Sequence, residues 1–328
     1  MVGQRILLWN PNEYSYPMAF GFVPNLVSYI HEEPGVYPCM IVVPGGGYCL
    51  VSPSEGEIVA KKFYKKGYNV FVLTYTTNIL MTEPLKLQPL KDISRAVRLV
   101  RAGSDRYRID PDKVVLCGFS AGGHLCASLC VHYEDIHEDD RIYARFSNRP
   151  DAAVLSYPVI TSGEKAHRGS FTALFGEDAS AEELDYMSLE KHVDEDTPPC
   201  FLWQTRDDQT VPVENSYLFA KACREHDVCY AHHVFSEGAH GLSLANEEWS
   251  EGEYGVPYTL EQTRLILDKL KAGELELSKE KREQFMQEFC GLIDKSSEEL
   301  AQESAGRQPN HEAAIWPEIA ELWLKKVL

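Results

Sequence analysis

Three side chains in this sequence have the types and the order that acyl transfer needs. Ser120 stands in Gly118-Phe119-Ser120-Ala121-Gly122, directly after the apolar run Val114-Val115-Leu116-Cys117. Leu125, Ala127, Ser128 and Leu129 then open a helical pattern. Strand, G-x-S-x-G turn and helix together make a nucleophile elbow. Such a turn strains its central residue and demands small residues on either side of it. It also presents the serine at a helix N-terminus, where N–H groups and the helix dipole favour developing negative charge. A serine hydroxyl is a weak nucleophile unless a base lies within hydrogen-bond reach and a carboxylate fixes the base's tautomer. His240, in Gly238-Ala239-His240-Gly241, is the candidate base, and Asp208, ahead of Val211-Pro212, is the candidate carboxylate.

Other residues compete for these roles. Asp207 adjoins Asp208, but the spacing to Val211-Pro212 and the expected turn favour Asp208. Glu237 is a weaker substitute for the carboxylate. His124 falls inside the elbow helix, where it cannot easily face the serine hydroxyl, and reads as a hydrogen-bonded structural residue. His232 and His233 are neighbours in a strand-like run, so their rings point to opposite faces. No Cys-x-x-Cys pair and no credible zinc set occur, so no metal is expected.

A second glycine-rich stretch, Pro44-Gly45-Gly46-Gly47-Tyr48, follows the apolar run Tyr37 to Val43. It reads either as a plain turn or as a loop whose backbone approaches a ligand closely. On the second reading Gly46 or Gly47 supplies one donor of an oxyanion hole, and the N–H of Ala121 supplies the other.

The elements that must hold these residues alternate. Strands are expected at 26–30 (an edge strand), 37–43, 68–75, 114–119, 152–157, 200–205 and 228–235, and helices at 57–66, 90–101 and 214–224. In the second of these helices Ile93, Ala96, Val97 and Val100 share a face. Asp110-Pro111-Asp112-Lys113 reads as a turn into the elbow strand. Short apolar strands alternating with helices imply an α/β architecture with a mostly parallel sheet covered on both faces. The chain reads as one domain over residues 1–328. Residues 161–197 lack periodicity and occupy the position of a cap or pocket wall, with Tyr48, His167 and Arg168 as candidate pocket residues. Residues 251–312 are charged and carry helical stretches at 259–272, 278–295 and 296–305, the second with the stripe Phe285, Phe289, Leu292 and Ile293. They read as an added helical hairpin packed on the domain or on a second copy of the chain, with a substrate-gating lid as the alternative. Residues 313–328, with Ile315, Ile319, Leu322, Trp323 and Val327, read as a closing helix on the sheet.

At 328 residues with 44% apolar content the chain can bury a sizeable core. A formal charge of −18 argues against nucleic-acid and anionic-membrane partners. The nine cysteines are irregularly spaced, and Cys117, Cys126, Cys130 and Cys200 read as small buried hydrophobes in a reducing compartment. No apolar run is long enough to span a membrane, and no leader is evident, so a cytoplasmic location is expected.

The glycine loop, the elbow through His124, the stretch Thr205 to Ser216 with Asp208 and Val211-Pro212-Val213, and Gly238-x-His240-Gly241 together resemble bacterial α/β-hydrolase esterases. The resemblance is to the acetylxylan-esterase-like, carbohydrate acetyl esterase branch. It covers about residues 36–246 and the final helix. Pro44 departs from it, standing where a histidine is frequent, and the helices of 251–312 depart from the compact pattern. The resemblance implies the α/β-hydrolase fold, Ser120, Asp208 and His240 as the triad, and hydrolysis of small acyl esters on sugar hydroxyls. It implies neither metal nor organic cofactor. With no leader evident, the expected substrate is an imported oligosaccharide rather than polymeric xylan. Rivals are an arylformamidase, a peptidase of the prolyl-oligopeptidase type (although no propeller-like repeat is visible), and a non-catalytic binding protein of the same fold.

Overall fold

Alternation along the central strands decides the layering. The structure is a computed structural model and describes residues 3–275, 277–280, 282, 283, 285 and 307–328. Eight strands form one sheet: β1 (Arg5–Leu7), β2 (Asn25–Tyr29), β3 (Tyr37–Val43), β4 (Asn69–Thr74), β5 (Ile109–Phe119), β6 (Ala152–Ser156), β7 (Cys200–Thr205) and β8 (Tyr230–Phe235). Their spatial order is β1-β2-β4-β3-β5-β6-β7-β8. β2 runs antiparallel to β1 and β4, and the pairings from β4 to β8 are parallel. The inner parallel strands β4, β6 and β7, and β3 and β5 from Cys39 and Val114 onward, are buried on both faces, which is why they read as apolar runs, whereas the edge strand β8 is half-buried.

In β3, Cys39, Ile41 and Val43 face one layer and Met40 and Val42 the other. The first layer is covered by helices Gln88–Ala102, Ala121–His132 and Glu214–Glu225. The stripe Ile93, Ala96, Val97 and Val100 is fully buried there. The second layer is covered by helices Glu57–Lys65 and Trp316–Val327.

Three details differ from the sequence reading. β2 is not an edge strand, because β1 adds outside it. Asp110 to Lys113 lie inside β5 as an irregularity in its pairing with β3, the register jumping from Tyr37↔Ile109 to Cys39↔Val114. The closing helix packs through Trp316, Ala320 and Leu324, with Ile319, Trp323 and Val327 half-buried against the same cluster as expected, whereas Leu322 is 70% exposed and Ile315 49%. Trp316 stacks on Trp203 of β7 at 5.4 Å and Trp323 lies against Phe201, so the packed stripe is centred on Trp316 and leaves Ile315 and Leu322 outside it.

Helix Glu261–Ala272 forms within the expected 259–272 stretch. Its Ile266, Leu267 and Leu270 pack with Phe285 against Ile79 and Leu80. Phe289, Leu292, Ile293 and the stretch 296–305 lie outside the described residues. Cys117, Cys126, Cys130 and Cys200 are buried with free thiols. Among the described residues no helix is long and apolar enough to cross a membrane.

The loops that leave β3, β5, β6, β7 and β8 all emerge at the carboxyl edge of the parallel strands, where open α/β sheets bind ligands.

Candidate active site

Ser120 leaves β5 with φ 52° and ψ −118°, a strained conformation for a residue with a side chain. Its N–H bonds Ser156 O at 3.0 Å and its carbonyl accepts from Val159 N at 3.2 Å, so the neighbouring strand end holds the turn. A Cβ on Gly118 would lie 2.4 Å from Gly122 O, and one on Gly122 would lie 2.1 Å from Val43 O. Backbone approaches this close explain why both positions are glycine.

The structure brings Ser120, His240 and Asp208 together from three loops. Ser120 Oγ is 2.8 Å from His240 Nε2, and His240 Nδ1 is 2.6 Å from Asp208 Oδ2. Asp208 is 5% exposed, and its Oδ1 accepts the N–H groups of Thr210 and Val211 at 2.9 Å each. A carboxylate can only accept, so Nδ1 of His240 carries the proton and Nε2 is left to accept from the serine. Asp207 is exposed and pairs with Arg206, and Glu237 is exposed, so neither reaches His240 in this way.

The glycine loop lies against the nucleophile. A Cβ on Gly45 would come within 2.8 Å of Ser120 Cβ. Gly46 has φ 117° and Gly47 φ 63°. The N–H of Gly45 is taken by Glu55 Oε2 at 2.8 Å, whereas those of Gly46, Gly47 and Ala121 donate to no partner among the described residues.

The three expected pocket residues separate. Tyr48 is not pocket wall: it is 1% exposed, its φ of 61° turns it inward, and its hydroxyl is 2.8 Å from His124 Nδ1. His124 is the structural residue expected, with Nε2 3.1 Å from Met187 O. Burial and the nearby His132 charge oppose protonation of its ring while the Met187 carbonyl favours it, and the balance is about 4. His167 is half-buried, lies beside Gly47, and bonds Ser170 Oγ at 2.9 Å. Burial, and then the charge of His240, lower its basicity. Arg168 is exposed at the start of helix Arg168–Phe175. His232 and His233 turn to opposite faces, one to Ser216 Oγ at 3.0 Å and the other against Phe201.

The sequence reading passed over two buried groups, Glu55 and Tyr157. Tyr157 Oη donates to Glu55 Oε1 at 2.7 Å, and its ring meets the His240 ring edge-on at 5.0 Å. Glu55 sits in Ser52-Pro53-Ser54-Glu55-Gly56, whose composition is that of a solvated turn, so only its tertiary partners reveal it.

An open cavity of about 880 Å³ extends from His240 and is bordered by Asp207, Gln209, Glu237, Trp249 and Asn310. Its rim carries the carboxylates of Asp207, Glu237 and Glu312 together with the cation Arg307.

Residues 28–223 match the model of the BD-FAE family. The chain belongs to the BD-FAE family. The BD-FAE match covers β3 to β7 and so includes the glycine loop, the elbow and Asp208. The chain is 52% identical over 256 residues to endo-1,4-beta-xylanase B of Butyrivibrio fibrisolvens, covering 78% of this chain and 40% of that protein. It is 27% identical over 226 residues to an acetylxylan esterase of Xylanibacter ruminicola, covering 67% of this chain and 44% of that one. It therefore spans less than half the length of either of these curated relatives. Among solved structures, an acetyl ester-xyloside bifunctional hydrolase from Caldicellulosiruptor lactoaceticus superposes with a TM-score of 0.69 at 39% identity. That match covers 80% of this chain and 97% of the other. These relatives bear out the α/β-hydrolase fold and the acetylxylan-esterase-like resemblance.

Proposed function

We propose that this protein is a serine esterase that removes acetyl groups from carbohydrate hydroxyls, acetylated xylo-oligosaccharides being the first substrates to consider. The observation that carries the reading is the continuous relay Ser120 Oγ to His240 Nε2 at 2.8 Å and His240 Nδ1 to Asp208 Oδ2 at 2.6 Å, set at an elbow beside free N–H groups. In the reaction Ser120 attacks the ester carbonyl and passes its proton to His240. Asp208 stabilises the imidazolium so formed. The N–H groups of Ala121 and of Gly46 or Gly47 hold the oxyanion; losing one such donor costs roughly 2.7–4 kcal/mol of transition-state stabilisation. His240 then protonates the departing sugar oxygen, and water attacks the acyl-enzyme with His240 again as base.

Because His240 delivers the proton, the alcohol half of the ester lies on its side of Ser120. The cavity of about 880 Å³ borders His240, and its Asp207, Glu237, Arg307 and Asn310 offer hydrogen-bonding groups to a polyol. His167, beside Gly47, is assigned to the wall of the acyl pocket, and Arg168 to its outer rim.

The test is acetate release from acetylated xylo-oligosaccharides by the wild type and by Ser120→Ala. Release by the wild type alone supports the reading. Failure to release acetate, with a serine-directed phosphonate still labelling Ser120, rejects the carbohydrate ester and turns the search to formamides and aryl esters.

A further inference from the structure

Beneath the triad lies a second buried carboxylate that the acyl-transfer steps leave unused. Glu55 is 4% exposed and has a partner on each oxygen. Oε2 accepts the N–H of Gly45 at 2.8 Å, and Gly45 backs directly onto Ser120. Oε1 accepts the hydroxyl of Tyr157 at 2.7 Å. Tyr157 Oη in turn accepts the N–H of Ser243 at 2.9 Å, in the same loop as His240. That hydrogen bond fixes the direction of the chain: with Ser243 donating to it, Tyr157 must give its own proton to Glu55. Both oxygens of Glu55 therefore act as acceptors, the arrangement of an ionised carboxylate.

We propose that Glu55 is a positioning residue. Through Gly45 on one side and Tyr157 on the other, its carboxylate holds the oxyanion loop and the His240 loop in one register. The ring of Tyr157, edge-on to His240, is the part of this relay that touches the base.

The surroundings fit this role. Burial holds the Glu55 carboxyl above its ordinary range, and the Tyr157 and Gly45 hydrogen bonds and the charge of His240 offset only part of that rise. A positive His240 thus favours the ionised Glu55. Among the described residues, Asp208, Glu55, Tyr157 and His167 interact with His240, and Asp207, Glu237, Arg307, His311 and Glu312 share the cavity that it borders. A separate bond, Ser243 Oγ to Ser54 O at 2.6 Å, ties the same two loops without the carboxylate. Trp316 Nε1 anchors Ser243 O at 2.8 Å. The fold can therefore survive the loss of the Glu55 charge while the register of the site relaxes.

The inference rests on the esterase reading above, so the experiment uses p-nitrophenyl acetate, whose turnover does not depend on which sugar is bound. kcat and KM are measured for wild type, Glu55→Gln, Tyr157→Phe and the double variant, with active sites titrated by a phosphonate so that misfolded protein is not counted. Each single variant should lose roughly 10- to 100-fold in kcat per titrated site, with KM changing less than about threefold. The double variant should lie no more than about threefold below the weaker single one, because both break one relay. A role in packing alone lowers the titratable fraction and the melting temperature but leaves kcat per titrated site unchanged, and that result overturns the proposal. So does a double variant whose loss is the product of the two single losses. If Glu55→Gln yields no titratable protein, Tyr157→Phe decides alone: it leaves the Glu55–Gly45 bond in place and removes the link to Ser243. A wild type that fails to turn over the ester overturns the esterase reading and this inference together, whereas an active wild type with unaffected variants overturns the inference alone.

Discussion

The Tyr48 hydroxyl lies 2.8 Å from His124 Nδ1, linking the glycine loop to the elbow helix inside the core. With Nε2 bonded to the Met187 carbonyl, the ring has no room for a solvated charge. Burial holds it at about 4, against an ordinary 6.5. Between those values the unfolded chain binds a proton that the folded chain refuses. The contribution of neutral His124 is thus fully present above pH 6.5 and is lost as pH falls toward 4. The shift corresponds to about 3 kcal/mol. Urea unfolding at pH 7 and at pH 4.5 should show wild type losing more stability than His124→Gln, by up to that amount. His232, also lowered to about 4, acts in the same sense but is common to both proteins. Equal losses in the two proteins would refute the assignment.

The neighbouring carboxylates Asp207 and Asp208 give a sharper contrast. Asp208 is buried and aims Oδ2 at His240, while Asp207 pairs with Arg206 at the surface. In Asp208→Asn the amide can donate to Nδ1, which favours the tautomer with its proton on Nε2, and that tautomer cannot accept from serine. A loss of about 10³- to 10⁴-fold in kcat is expected, with little change in melting temperature. Asp207→Asn should stay within about threefold of wild-type kcat on p-nitrophenyl acetate, since surface ion pairs contribute little. Comparable losses in both would show that the wrong carboxylate has been chosen.

Gly46 and Gly47 differ in what a methyl group would meet. At Gly46, with φ 117°, a Cβ would lie 2.3 Å from Leu50 O. At Gly47, with φ 63°, its nearest neighbours are His167 Cε1 at 3.7 Å and Cys49 Sγ at 3.9 Å. Gly46→Ala should therefore cost about 3 kcal/mol of stability or more, adding strain to a backbone collision. Gly47→Ala should cost only the left-handed backbone penalty, about 1–2 kcal/mol. Denaturant melts of the two variants test the order, and a reversal would mean that the loop sits differently against Ser120.

Much of this site was legible because local sequence dictates it. The elbow glycines, the burial of β3, β5 and β7, and the order Ser120, Asp208, His240 follow from turn sterics, strand burial and loop placement at one sheet edge. What stayed hidden depends on long-range partners. Glu55 and Tyr157 lie 102 residues apart in sequence, and nothing in either neighbourhood announces their hydrogen bond. Tyr48 follows the glycines and so read as pocket wall, yet its positive φ turns it to His124. In the closing helix Ile319, Trp323 and Val327 pack as their spacing suggested, but Ile315 and Leu322 stay exposed because the buried stripe is centred on Trp316, which stacks on Trp203.

The cavity beside His240 sets the last expectation, which concerns the alcohol half of the substrate. Asp207 and Glu237 border it, are exposed, and take no part in the triad hydrogen bonds. A carboxylate accepts strongly from sugar hydroxyls, and charged hydrogen bonds contribute about 1.5–3 kcal/mol. The double variant Asp207→Asn/Glu237→Gln keeps the shape of both side chains and removes both charges. Its KM for acetylated xylo-oligosaccharides should rise roughly tenfold with kcat nearly unchanged, because the contacts are equal in ground and transition states. Its KM for p-nitrophenyl acetate, whose leaving group has no hydroxyls to bond these carboxylates, should not move. If both substrates respond alike, the carboxylates act through the general field of the site. If neither responds, the sugar lies elsewhere, and the wall formed by His167 becomes the next place to look.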